Sequence, residues 1–189
     1  MRNDIVLSIY KDVKTVFRLR DIALMSGESD FESLNKKLNY YVRRGKLLNP
    51  RKGIYAKPNY HSEELACILY TPSYISLEYV LQKAGVLFQY DSRITTISYL
   101  SRSVEVEDKT IVYRKIKGEI IANTRGISRE INQVNIATSE RAFLDTLYLN
   151  KNYYFDNLNP LNKEKVYDLL PIYMSKALTE KVKKYFPDD

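Results

Sequence analysis

Apolar residues recur in short bursts of helical spacing over the first sixty positions. Ile5, Val6, Ile9, Tyr10 and Val13 follow Asn3-Asp4, residues that favour an N-cap, and predict a first helix over about Asp4 to Val13. Val16-Phe17 reads as a short extended link. LRDIALMSG predicts a short helix with Ile22, Ala23 and Met25 inward, stopping at Gly27, a residue that tolerates positive φ. Ser29 or Asp30 can cap a third helix running to Arg44. In it Leu34, Leu38, Tyr41 and Val42 stand at i, i+4, i+7 and i+8 on one stripe, while Ser33, Lys36, Lys37, Tyr40 and Arg44 occupy another face. After Gly45, the apolar pairs of Lys46-Leu47-Leu48 and Ile54-Tyr55-Ala56 flank Asn49-Pro50-Arg51-Lys52-Gly53, the pattern of a hairpin with a basic tip. Three short helices followed by a basic hairpin is the order of a winged helix-turn-helix.

The pattern then changes. SEELACILY predicts a helix ending near Pro72, and SLEYVLQKAG another, with Ser76 as cap and Gly85 as stop. ITTISYL, VEVE, TIVYRKI, EII and VNIA are rich in β-branched and aromatic residues and are expected as strands. ATSERAFLDTLYL predicts a helix capped by Thr138, and KEKVYDLL and LTEKVKKYF two more. The expected fold class is α+β. A winged helix-turn-helix over residues 1–60 precedes an α/β domain over 61–189 with a mainly antiparallel or mixed sheet, Asn59 to Ser62 forming the boundary.

Charge sharpens this division. The formal net charge of the 189-residue chain is +7. Met1 to Ser62 holds thirteen basic and six acidic residues, whereas Glu63 to Asp189 holds seventeen of each, so the whole excess lies in the first third. From Ser33 to Pro58 there is no acid at all, although a merely solvated surface normally mixes both signs. A helix about 10–12 Å across fits the DNA major groove, and cations beside it neutralise phosphates. The expected interface therefore comprises Lys37, Arg43, Arg44, Arg51 and Lys52 on the DNA backbone and Ser33, Lys36 and Tyr40 at base edges. On this reading, replacing Lys36 relaxes sequence preference, while replacing Arg51 weakens binding to all DNA about equally.

Catalytic residue types are sparse. One histidine, His61, and one cysteine, Cys67, are too few for a His- or Cys-rich zinc site, and the six glycines form neither GxGxxG nor GxxxxGK[ST]. No cofactor or metal is expected. Cys67 reads as a small apolar residue on a helix face and His61 as a surface or capping residue. Glu107-Asp108-Lys109, with Asp91 upstream, could hold Mg²⁺ in a nuclease, but VEVEDKT reads more simply as a strand ending in a polar turn. Arg141 and Asp145 stand at i, i+4, the spacing of a common helical ion pair. No run of eighteen or more apolar residues is present to span a bilayer, and the N-terminus lacks a cleavable leader pattern, so a cytoplasmic protein is expected.

The segments VRRGKLL, RKGIYA, YTPSYISLEYVLQKAGV and ATSERAFLDTL together resemble the AbiEi family, antitoxins of bacterial abortive-infection toxin-antitoxin pairs. Ser139 stands where that family usually has proline at the first helical turn, a position where either residue is tolerated. The resemblance implies a non-enzymatic autorepressor whose winged helix binds double-stranded promoter DNA. It implies further that the second domain counteracts a cognate nucleotidyltransferase-like toxin. A winged-helix regulator whose second domain senses a ligand or dimerises remains an alternative, as does the metal-dependent nuclease.

Overall fold

The computed structural model describes residues 4–187. Helix α1 (Ile5–Lys11) opens at Asp4, whose carboxylate accepts from the Val6 N–H at 3.1 Å. Strand β1 (Val16–Arg18) follows where the sequence reading placed only an extended link, and helix α2 (Leu19–Ser26) closes on Gly27. Asp30 caps helix α3 (Phe31–Arg43) by accepting from the Glu32 and Ser33 N–H groups at 3.0 and 3.1 Å. At the other end Gly45, with φ of +67°, lets its own N–H reach the Val42 carbonyl and the Lys46 N–H reach Tyr41. This pairing satisfies two carbonyls that every helix end otherwise leaves open. Strands β2 (Leu48–Arg51) and β3 (Ile54–Ala56) form the hairpin; only Lys52-Gly53 lies between them, and Pro50 is tolerated because β2 is an edge strand.

The three strands pair antiparallel in the order β1-β3-β2. Successive side chains of a strand point to opposite faces, and here both faces are buried. Phe17 and Tyr55 join Ile9, Ile22, Leu34, Leu38 and Leu47 in a core made by the three helices. Val16, Ile54 and Ala56 join the core of the remaining chain. The small sheet is thus the middle layer between helices α1–α3, with which it forms a winged helix-turn-helix arrangement, and the second core.

That remainder begins with helix α4 (Ser62–Leu69) and strand β4 (Ser73–Ile75), a strand too short to have been recognised in the sequence. Helix α5 (Glu78–Lys83), strands β5 (Ile94–Ser98), β6 (Arg102–Val106) and β7 (Lys109–Lys115), and helix α6 (Gly118–Ala122) follow. Strands β8 (Ile127–Arg129) and β9 (Asn135–Ala137) precede helices α7 (Ser139–Leu149), α8 (Lys163–Leu169) and α9 (Lys176–Tyr185). The sheet order is β6-β7-β5-β4-β9-β8, with parallel β5–β7 and β4–β9 pairs among antiparallel ones. The protein is α+β with a mixed second sheet.

Two local expectations are corrected. EII is not a strand but the centre of α6, because three apolar residues carry no period that separates strand from helix. Ser76 does not cap α5: Leu77 takes that position with φ of +60°, and the Ser76 hydroxyl donates to Asp145 at 2.7 Å instead.

Helix α7 is enclosed from Glu140 to Leu147. Its apolar side meets an aromatic group in which Phe143 lies 4.8 Å from Phe155 and 5.8 Å from Tyr185 by ring centroid. Its polar side is buried as well. Asp145 accepts from the hydroxyls of Tyr173 at 2.6 Å, Ser76 at 2.7 Å and Tyr74 at 3.0 Å. Arg141 donates to the carbonyls of Ile120 and Arg125 and lies 3.6 Å from Asp145. The pair has the predicted spacing, but both side chains are fully buried. Burial pushes the Asp145 carboxyl above its usual range, against the pull of Arg141 and the three hydroxyls. Gly126 has to be glycine for this helix to approach: a Cβ there would lie 2.9 Å from the Leu169 side chain and 3.1 Å from the Arg141 Cβ.

Candidate nucleic-acid interface

Helix α3 buries Leu34 and Leu38 completely and half-buries Tyr41 and Val42, as the stripe at 3.6-residue spacing requires. The opposite face lies in solvent. Lys36, Lys37, Tyr40, Arg43 and Arg44 are exposed and Ser33 is half-exposed; Arg51 and Lys52 are exposed at the hairpin end. Two hydrogen bonds anchor this face from beneath. Tyr55 on β3 donates to the Asn35 side chain at 2.5 Å, tying sheet to helix, and the Tyr10 hydroxyl donates to the Lys46 carbonyl at 2.7 Å, tying α1 to the link after α3.

The face is not electrostatically uniform. Lys36 pairs with Glu32 one turn earlier at 2.7 Å, and Lys37 with Glu28 at 2.5 Å. The Lys37 hydrogen bond and charge hold the Glu28 carboxyl below its usual range. Both pairs are solvent-facing, and an exposed helical i,i+4 pair such as Lys36–Glu32 contributes only about 0.3–0.5 kcal/mol, so a competing phosphate can displace it. Farther along, the cations are open. Arg43, Lys46, Arg51 and Lys52 make no ion pair among the described residues, and Arg44 has only a neutral partner. Its Nε donates to the Tyr40 hydroxyl at 3.3 Å, with the guanidinium 5.6 Å from the ring centroid.

All eight sequence-predicted positions lie on α3, at its C-cap Arg44 or on the adjoining hairpin; of their cations Lys36 and Lys37 are ion-paired, whereas Arg43, Arg44, Arg51 and Lys52 make no ion pair among the described residues. Lys46 belongs with them and was missed. It lies within the acid-free run, one residue past the helix-ending glycine, and is exposed.

The other sequence candidates lie elsewhere. Glu107 and Asp108 form the two-residue turn between β6 and β7; Glu107 accepts from the Tyr60 hydroxyl at 3.2 Å, and Asp108 pairs with Lys109 at 3.5 Å. Asp91 is held by Arg93 at 2.5 Å, which lowers its carboxyl from the usual range through hydrogen bonding. Among the described residues no group of three or more His, Cys, Asp or Glu side chains is placed to hold a metal ion. His61 sits at the N-cap of α4 with an exposed side chain that makes no capping bond. Cys67 is largely covered, its thiol 3.6 Å from the Asn135 carbonyl, and burial pushes it up to about 11. No helix among the described residues is long and apolar enough to cross a membrane.

No protein-family description matches the chain, and no curated protein matches it. Among solved structures, the crystal structure of the RV2827C protein from Mycobacterium tuberculosis superposes over 95% of this chain and 74% of its own, with a TM-score of 0.49 at 14% identity. That likeness is too distant to bear on function. The chain is an α+β protein whose N-terminal helices and hairpin present a solvent-exposed cationic face.

Proposed function

We propose that the chain is a DNA-binding transcriptional autorepressor that also serves as the antitoxin of a toxin-antitoxin pair. One observation carries the DNA-binding half of this reading. The polar face of α3 and the end of the neighbouring hairpin are both exposed, with Arg43, Arg44, Lys46, Arg51 and Lys52 free of carboxylate partners among the described residues. Helix α3 enters the major groove, Ser33, Lys36 and Tyr40 reach base edges, and the hairpin follows the phosphates. Burial of the sheet's other face against the second part fixes how the reading head is carried.

The antitoxin half rests on the resemblance of PSYISLEYVL and ATSERAFLD to the AbiEi family. The partner it implies is a nucleotidyltransferase-like toxin. Two experiments test the two halves separately. A gel shift on the DNA upstream of the chain's own gene should show a retarded complex that random DNA of equal length does not compete away; equal competition would remove the repressor assignment. Expression of the adjacent gene's product should arrest growth alone and not together with this chain, and harmlessness alone would end the antitoxin assignment.

A further inference from the structure

A cleft of about 230 Å³ opens where the first and second parts meet. Lys14 and Arg18 line it from one side, Arg129 and Gln133 from the other, and Glu64 and Asn132 lie between them. The Glu64 carboxylate is already occupied. Its Oε2 accepts from the Thr15 and Val16 N–H groups at 2.6 and 3.0 Å, and its Oε1 accepts from the Asn132 side chain at 3.1 Å.

The three cations, by contrast, make no ion pair among the described residues. Arg18 uses one terminal nitrogen on the Ile68 carbonyl at 2.6 Å and the Thr71 hydroxyl at 2.7 Å, which orients the guanidinium and leaves its other nitrogens without an acceptor among those residues. Arg129 has only a neutral partner, the Gln133 side-chain oxygen at 3.3 Å. The Lys14 ammonium lies 5.3 Å from the Phe17 ring centroid. Concave walls focus the field of like charges, and a guanidinium fork matches phosphate oxygens in pairs. We propose that this cleft binds a phosphate group, either the free ion or one carried by a small metabolite, and that the bound group bridges the two parts of the molecule.

The test uses the full chain at constant ionic strength, titrated with inorganic phosphate and separately with adenosine monophosphate. Thermal unfolding and calorimetry are the readouts, with chloride as reference. Saturable binding that raises Tm is expected, because a ligand held only by the folded state stabilises it. Arg129→Gln and Lys14→Gln should each weaken binding about tenfold, the usual consequence of removing one charged hydrogen-bonding partner. Arg43→Gln, on the exposed face of α3 and outside the cleft lining, should leave phosphate binding as it is. Tighter binding of the nucleotide supports a carried phosphate, and equal or weaker binding supports the free ion. Absence of saturation, unchanged affinity in both cleft variants, or loss of binding in Arg43→Gln would overturn the proposal. None of these outcomes involves DNA, so the repressor reading stands or falls separately.

Discussion

Replacing Arg51 and Lys52 together by alanine tests how the hairpin participates. Five exposed cations, Arg43, Arg44, Lys46, Arg51 and Lys52, lack a carboxylate partner among the described residues. If each meets one phosphate, and each phosphate neutralised contributes about −0.9 to the slope of log K against log salt, the unmodified chain should show a slope of about −4.5. Between about 50 and 200 mM salt that slope is a loss of roughly 500-fold in affinity. Without the two hairpin cations the slope falls to about −2.7 and the loss over the same range to roughly 40-fold. Both side chains are exposed at the end of a two-residue turn, so the variant should fold, which circular dichroism checks directly. The assay is fluorescence anisotropy with a labelled duplex across a salt series. An unaltered slope in the folded variant would mean that the hairpin does not reach DNA; a flat line for the unmodified chain would mean that the cationic face is only hydrated.

Three further outcomes follow from the buried polar groups. Glu64→Ala leaves the Thr15 and Val16 N–H groups without their acceptor and should lower unfolding free energy by about 3 kcal/mol, read as a shift of the urea midpoint at unchanged m-value; a loss below about 1 kcal/mol would show that water replaces the carboxylate. Asp145→Ala strands Arg141 in the interior and should cost about 3–5 kcal/mol, whereas Lys36→Ala on the surface should cost under about 0.5 kcal/mol; equal effects by thermal unfolding would refute the burial argument. With its thiol pushed up to about 11, Cys67 should be only about 0.1% thiolate at pH 8, so its alkylation should be slow and should accelerate about tenfold per pH unit toward pH 11; a rate that levels off near pH 8 would contradict the effect of burial.

Elements whose reasons lie within a few residues were legible from the order of amino acids. The Leu34–Leu38 stripe, the stop at Gly45 and the Thr138 cap of α7 each depend on local spacing and backbone conformation and each formed where expected, and of the two caps the sequence offered for α3, Ser29 and Asp30, Asp30 is used. The placement of Lys36, Lys37, Tyr40, Arg43 and Arg44 on the exposed side of α3 follows from the same period. Three-residue strands were a different matter. Ser73–Ile75 and Ile127–Arg129 are too short to show alternation, and they are strands because neighbouring strands of the same sheet offer them partners.

The tertiary structure alone decided how charge and burial were distributed over residues distant in sequence. Nothing near Val16 indicates that a strand beginning there would rest one face on α1–α3 and the other on the second core, or that Glu64, almost fifty residues later, would accept from its backbone. Likewise the spacing of Arg141 and Asp145 gave an ion pair, but only packing placed it at zero exposure beneath Tyr74 and Tyr173. Local patterns are set by short-range sterics and hydrogen bonding, which the order of residues contains; desolvation and long-range pairing depend on which surfaces meet, and that is settled only when the chain closes on itself.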